Sequence, residues 1–276
     1  MKTIIVATDF SPVALNAAYY AVNMAKTQGA NILLFNVYEV LPNYGEMVMD
    51  VDVVDLKKSA QTEMLKFKKI LLEQNNINFN VRTDVRTDVR MGIFKDELNA
   101  VCETEQPYAV IMGSQGKSAA EHFLMGSHAG KTINHFAWPI ITVPPEVTFS
   151  TVKKIAVAYD FKLEIQENLI NDIKLLAKDF NASVDILNVA DEAEFNENFV
   201  FLSRILEDTF KPINIKYNLV TAHHSDEGIL KFVDENNIDL LVVMPKHHNL
   251  FQKLFQKSHS KQLVLHSHVP VMALNK

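Results

Sequence analysis

Short apolar runs recur along the chain, separated by stretches long enough for a helix. Ile4-Ile5-Val6-Ala7, Ile32-Leu33-Leu34-Phe35, Tyr108-Ala109-Val110-Ile111-Met112 and Ile140-Ile141-Thr142-Val143 each read as a buried parallel strand. Between them, apolar residues return at helical spacing. The pattern predicts strands near residues 2–8, 31–37, 79–89, 108–112 and 140–143. It predicts helices near 12–27, 53–74, 93–104 and 126–136. Ser11-Pro12 marks the first helix start, a capping hydroxyl followed by a proline whose missing N–H costs nothing there.

Strands alternating with helices imply an α/β fold, with helices on both faces of a parallel, doubly wound sheet. In such sheets ligands bind at the carboxyl ends of the strands, where the winding reverses. Here that place is the crevice between the first and fourth strands. Residues 81–90, VRTDVRTDVR, alternate at period two and predict a strand with one apolar and one charged side. Its charges either neutralise one another on the wet face of the sheet or present a partner surface.

The whole pattern occurs twice. Lys2–Phe10 matches Lys153–Phe161, Ala30–Val37 matches Ala182–Val189, Val110–Met112 matches Val242–Met244, and Trp138-Pro139-Ile140 matches Val269-Pro270-Val271. This is duplication of a domain. Pro144-Pro145 ends the first copy and stiffens the link, giving domains at 1–146 and 151–276.

Composition narrows the function. The 276 residues carry a net charge of −6, which disfavours a nucleic-acid partner because phosphate backbones want a basic face. The single cysteine, Cys102, excludes an internal disulfide and fits a reducing cytoplasmic setting. No apolar run approaches the roughly 18 residues that would span a bilayer, so no membrane partner is expected. The short apolar opening reads as the first strand rather than as a targeting segment.

Candidate chemistry concentrates after the fourth strand. Gly113, Gly116, Gly126 and Gly130 are four of the eight glycines and fall within one loop-to-helix stretch. Glycines let backbone approach an anion closely and adopt positive φ, and the first N–H groups of a helix point at it. Ser127 is a cap whose hydroxyl can donate to phosphate; the N–H groups of Ser127, His128 and Ala129 would add to it. Lys117 and Ser118 are further donors. Asp9, at the end of the first strand, either accepts from a sugar hydroxyl or complements the dipole of the first helix. Gly130-Lys131-Thr132 imitates the end of a Walker A loop, but the required earlier glycine position holds Met125, which excludes that motif.

The second copy lacks this loop. Met244 is followed by Pro245, no glycine occurs in the equivalent stretch, and Lys257-Ser258 stands where Gly126-Ser127 stood. Its one glycine, Gly228, is matched to Gly92. Seven of the ten histidines are in this half. His223-His224, His247-His248 and His259 are expected along one sheet edge, where they are either solvated or able to hold zinc or an anion. The metal content is left open.

The opening VATDFS, the unit length and the spacing Gly113-x2-Gly116-x9-Gly126-Ser127 resemble the universal stress protein family in its tandem two-domain form. The resemblance implies five-stranded parallel sheets of order 3-2-1-4-5, with domains related by a pseudo-twofold and paired through their fifth strands. It further implies ATP as ligand, with magnesium or manganese as companion ion. Asp9 would hold ribose or base edge, Val37 would meet adenine through its backbone, and Gly113, Gly116, Gly126, Ser127 and His128 would hold ribose and phosphates in the first domain alone. The implied role is nucleotide binding in stress response or signalling, with a homodimer as a further assembly. Two other functions fit the chain: a slow ATPase or phosphoryl transferase, and a non-nucleotide dimerisation or interaction module. Turnover needs activated water and charge stabilisation. No arginine or paired carboxylates flank the loop, which offers only Lys117, Glu121 and His122.

Overall fold

The structure, a computed structural model, describes residues 2–38, 53–74, 84–114, 136–159, 167–190, 210–211, 213–243 and 267–274. The first half runs β1 (Thr3–Ala7), α1 (Pro12–Gln28), β2 (Asn31–Tyr38), α2 (Val53–Gln74), β3 (Val85–Met91), α3 (Phe94–Glu105), β4 (Ala109–Gly113) and β5 (Ile140–Val143). The second runs β6 (Lys154–Ala158), α4 (Glu167–Phe180), β7 (Ser183–Ala190), β8 (Ile215–Thr221), α5 (Ser225–Glu235), β9 (Leu240–Val243) and β10 (Val271–Ala273). All ten strands form one sheet of order β3-β2-β1-β4-β5-β10-β9-β6-β7-β8. Each half therefore has the order 3-2-1-4-5.

Every pairing within a half is parallel, whereas β5 and β10 pair antiparallel. Their register joins Thr142 to Val271, Ile141 to Met272 and Ile140 to Ala273. Because Ile140 corresponds to Val271 in the repeat, Ile141 corresponds to Met272. The central pair thus joins equivalent residues, and the pseudo-twofold passes between them.

One hydrophobic core lies under α1, α2 and α4, the other under α3 and α5. The α1 face toward the sheet is small: Ala14, Ala17, Ala18, Ala21 and Ala25 are all buried, so the helix sits close. Ser11 caps it, its side chain accepting from the Ala14 N–H at 3.2 Å. Gly29 ends it at φ 61°, a left-handed conformation that glycine adopts without steric cost.

The sequence expectation for the third strand shifts. The described strand is Val85–Met91, not 79–89, and residues 79–83 lie outside the described residues. Its end follows β2, whose Tyr38 pairs with Met91. The charged side meets α3: Arg86 forms a two-pronged bond with Glu105 at 3.0 and 2.6 Å, and Arg90 joins Asp88 at 2.8 Å and Glu97 at 3.5 Å. The helix expected at 126–136 lies outside the described residues except for Phe136, which is buried and not helical.

Gly228 is also not the counterpart of Gly92. The β7–β8 register puts Ala222 there, while Gly228 lies in the first turn of α5. A Cβ on Gly228 would sit 2.7 Å from Val189 Cγ1, so this glycine lets α5 approach β7. The two cores differ as well. Buried Asp185 on β7 pairs with Lys154 at 3.3 Å and accepts from Asn218 at 2.9 Å. By register, Leu33 and Thr3 hold the positions of Asp185 and Lys154 in the first half.

Contacts between the halves extend beyond the seam. Asn16 on α1 donates to the carbonyls of Pro144 (3.0 Å) and Val147 (2.9 Å), holding the linker. Lys2 pairs with Asp179 at 2.6 Å and lies 4.4 Å from the centre of the Tyr108 ring. The Gln28 amide donates to the Asp179 carbonyl at 3.0 Å.

Candidate functional site

At the carboxyl ends of β1, β2 and β4 the backbone makes a tight, well-tied turn. The Thr8 N–H continues the ladder to the Phe35 carbonyl at 2.9 Å. The Thr8 hydroxyl accepts from the Phe10 N–H at 3.0 Å, and Asp9 Oδ1 accepts from the Ser11 N–H at 3.0 Å. Phe10 itself has φ 64°. A bulky residue in that region costs on the order of 1 kcal/mol or more and persists only where its surroundings hold it. Here the two side-chain bonds do so, together with the edge-on packing of Phe10 against Phe67 on α2, centroids 5.9 Å apart.

This turn leaves polar atoms unpaired. Asp9 Oδ2, Asn36 Oδ1 and Ser114 Oγ are buried and have no hydrogen-bond partner among the described residues. Asn36 donates its amide to the Thr8 carbonyl at 2.8 Å, so only its oxygen is left over. Ser114, next after β4, donates its N–H to the Val143 carbonyl at 2.9 Å while its hydroxyl remains free. A buried acceptor without a donor costs about 1–3 kcal/mol. Three unpaired polar atoms, on β2 and just past the ends of the adjacent strands β1 and β4, are the mark of a place that a ligand or water completes.

Gly113 is the last residue of β4, and extending the β1–β4 register puts it beside Thr8. It does not adopt the positive φ that the sequence reading allowed it. A Cβ there would lie 2.7 Å from Val13 Cγ1 and 3.2 Å from the Val13 carbonyl carbon and oxygen. The glycine is needed by the first turn of α1, which leans on β4. Val37 is half-buried on β2, its side chain packed against the core under α3. Gly116, Gly126, Ser127 and His128 lie outside the described residues, as do Lys117, Ser118, Asp160 and the stretch 244–266 of the second half.

Sequence reading missed Thr8, Asn36 and Ser114. Asn36 carried a usable signal: it is polar within an otherwise apolar strand and recurs as Asn188. Ser114 directly follows the first glycine of the motif. The histidine expectation is only partly placed. His223 and His224 are exposed, His224 preceding α5 without a side-chain cap bond, and His268 is exposed before β10. Among the described residues no three His, Cys, Asp or Glu side chains gather to hold a metal. Cys102 is on the buried face of α3, and burial pushes its thiol up to about 12, disfavouring the thiolate. No described helix is long and apolar enough to cross a membrane.

A model of the universal stress protein family matches residues 1–144 and again residues 151–275. Universal stress protein MJ0531 of Methanocaldococcus jannaschii is 28% identical over 149 residues, 51% of this chain and 81% of that protein. Among solved structures, a universal stress protein of Archaeoglobus fulgidus superposes with a TM-score of 0.71 at 17% identity, over 99% of this chain and 96% of its own. PA1789 of Pseudomonas aeruginosa, described as functionally unknown, superposes with a TM-score of 0.53 at 13% identity, over 100% of this chain and 92% of its own.

Proposed function

The chain belongs to the universal stress protein family, and from that premise we propose that its first half binds an adenine nucleotide, ATP, in a stress-response or signalling role. The observation that carries this reading is the unpaired buried oxygen of Asp9 beside Ser114 and Asn36. A ribose or an adenine amino group brings hydrogen-bond donors, which these acceptors lack. The Ser114 hydroxyl can donate or accept, so it suits either sugar or phosphate oxygen.

The remainder of the site follows from the motif. Gly116, Gly126, Ser127 and His128 would present backbone N–H groups to the phosphates, with magnesium or manganese balancing their charge. Asp9 Oδ1 is engaged by the Ser11 N–H, which leaves Oδ2 as the oxygen that would meet the ligand. Gly113 lets α1 approach β4, and that approach sets where Asp9 stands. The second half, with Pro245 and no glycine in its loop, would bind no nucleotide in this manner.

Equilibrium dialysis of the full chain against labelled ATP tests the reading. One ATP per chain is the expected stoichiometry. Zero, or two equivalent sites, would overturn it. Phosphate released beyond the protein concentration would point instead to an enzyme.

A further inference from the structure

A cavity of about 270 Å³ opens where the linker crosses between the halves. Its polar lining comes from four separate places. Tyr20 enters from α1; Glu146, Thr148 and Ser150 come from the linker; Asp239 stands before β9 and His268 before β10. The volume lies just under the roughly 300 Å³ at which small-molecule sites begin.

The lining carries two carboxylates, one of them held in place. Asp239 Oδ2 accepts from the N–H groups of Lys153 (2.8 Å) and Lys154 (2.9 Å), which fixes the carboxylate. The Lys154 ammonium is turned away to Asp185 and the Asn236 carbonyl. Neither lysine nor arginine lines the cavity; Glu146 and Asp239 are its carboxylates, and His268 is the further titratable side chain beside Tyr20. Tyr20 is 3% exposed and is held edge-on by Phe149, centroids 5.0 Å apart. Its hydroxyl makes no hydrogen bond to a described residue, although Asp239 is near enough for its charge to help burial raise the phenol's pKa. An unpaired phenol and a fixed carboxylate lining one cavity leave room for a bridging group.

We propose that this cavity binds a small organic cation, a primary amine or amidine, held between the Asp239 and Glu146 carboxylates and the Tyr20 hydroxyl. An N–H cation satisfies both charges and the phenol at once, which neither an anion nor a neutral apolar molecule does. The occupant touches α1, the linker and the second half together, so it stabilises their docking by mass action.

The full chain, without nucleotide, is titrated calorimetrically with 1,4-diaminobutane and, at matched ionic strength, with succinate. The expected result is saturable binding and a raised melting temperature with the diamine, and neither with succinate. Glu146→Gln, an exposed position, and Tyr20→Phe each weaken diamine binding about two- to tenfold, as loss of one polar contact does. Weakening in either variant supports the proposal. Absence of saturable binding at millimolar diamine, equal binding of succinate, or unchanged affinity in both variants overturns it. Should Tyr20→Phe fail to fold, Glu146→Gln decides alone. The result is independent of ATP stoichiometry at the Asp9 site.

Discussion

Val13 lies over Gly113 so closely that a single added carbon at the glycine would stand 2.7 Å from the valine Cγ1. The contact joins the first turn of α1 to the last residue of β4, and the clash would also meet Val13 backbone, which cannot rotate aside. Gly113→Val is therefore expected to cost about 1–3 kcal/mol of stability or more, as overpacking does. Gly113→Ala should cost less. Urea denaturation measures both. A Gly113→Val protein with wild-type stability and no ATP binding would assign the glycine to ligand access instead.

Asp9→Asn keeps an oxygen for the Ser11 N–H and removes the charge. Stability should change by less than about 1 kcal/mol, while ATP affinity falls about ten- to a hundredfold, the worth of a hydrogen bond to a charged group. Calorimetry on the folded variant gives both numbers. An unaltered affinity would leave the unpaired Oδ2 without a ligand role.

Lys2 and Asp179 tie the start of β1 to the end of α4 at 2.6 Å. The lysine side chain is 34% exposed, so water screens the pair. A double-mutant cycle with Lys2→Met and Asp179→Asn should return a coupling of about 1 kcal/mol that shrinks at high salt. Zero coupling at low salt would show that this ion pair adds nothing to the seam, the linker and the Gln28 contact in holding the halves.

Alkaline pH should unfold the protein. Cys102 has its thiol raised from 9.0 to about 12, and the Tyr20 and Tyr108 phenols are raised further by burial beside Asp239 and Asp179. Each stays protonated in the fold when its unfolded counterpart has ionised. Their contribution is complete below pH 9, begins to be lost above it, and for Cys102 is gone by about pH 12. Each such group steepens the loss by about 1.4 kcal/mol per pH unit. Stability measured from pH 8 to 11 should fall. Cys102→Ser should flatten the early part of that decline, and a flat profile in the wild type would contradict the burial of all three groups.

Much of this architecture was legible because strand burial in a parallel sheet writes itself as uninterrupted apolar runs. Ile4–Ala7, Ile32–Phe35 and Ala109–Met112 left no other reading. The third strand's bounds were less legible for the opposite reason: alternation over 81–90 has no internal stop, and the strand's observed end comes from pairing with β2. Asp9 was legible by position. Asn36 was legible only as a polar residue recurring in an apolar strand, and Ser114 was not legible at all, since an amide or hydroxyl shows its role only once its neighbours leave it unpaired. Gly113 was found for a reason other than the one the structure gives, because spacing along the chain cannot reveal that a helix turn comes back over it.

The seam centred on Ile141 and Met272 uses up the fifth strand of each half inside one polypeptide. Among the described strands β3 and β8 are left as sheet margins, so a second molecule cannot join by repeating this seam. Covalent fusion also frees each half from having to match its sibling. In a dimer of identical chains every substitution appears twice, whereas here Asp185 and Lys154 form an ion pair in one half where the other half holds Leu33 and Thr3. The join thus converts a symmetric assembly into one whose halves can specialise separately.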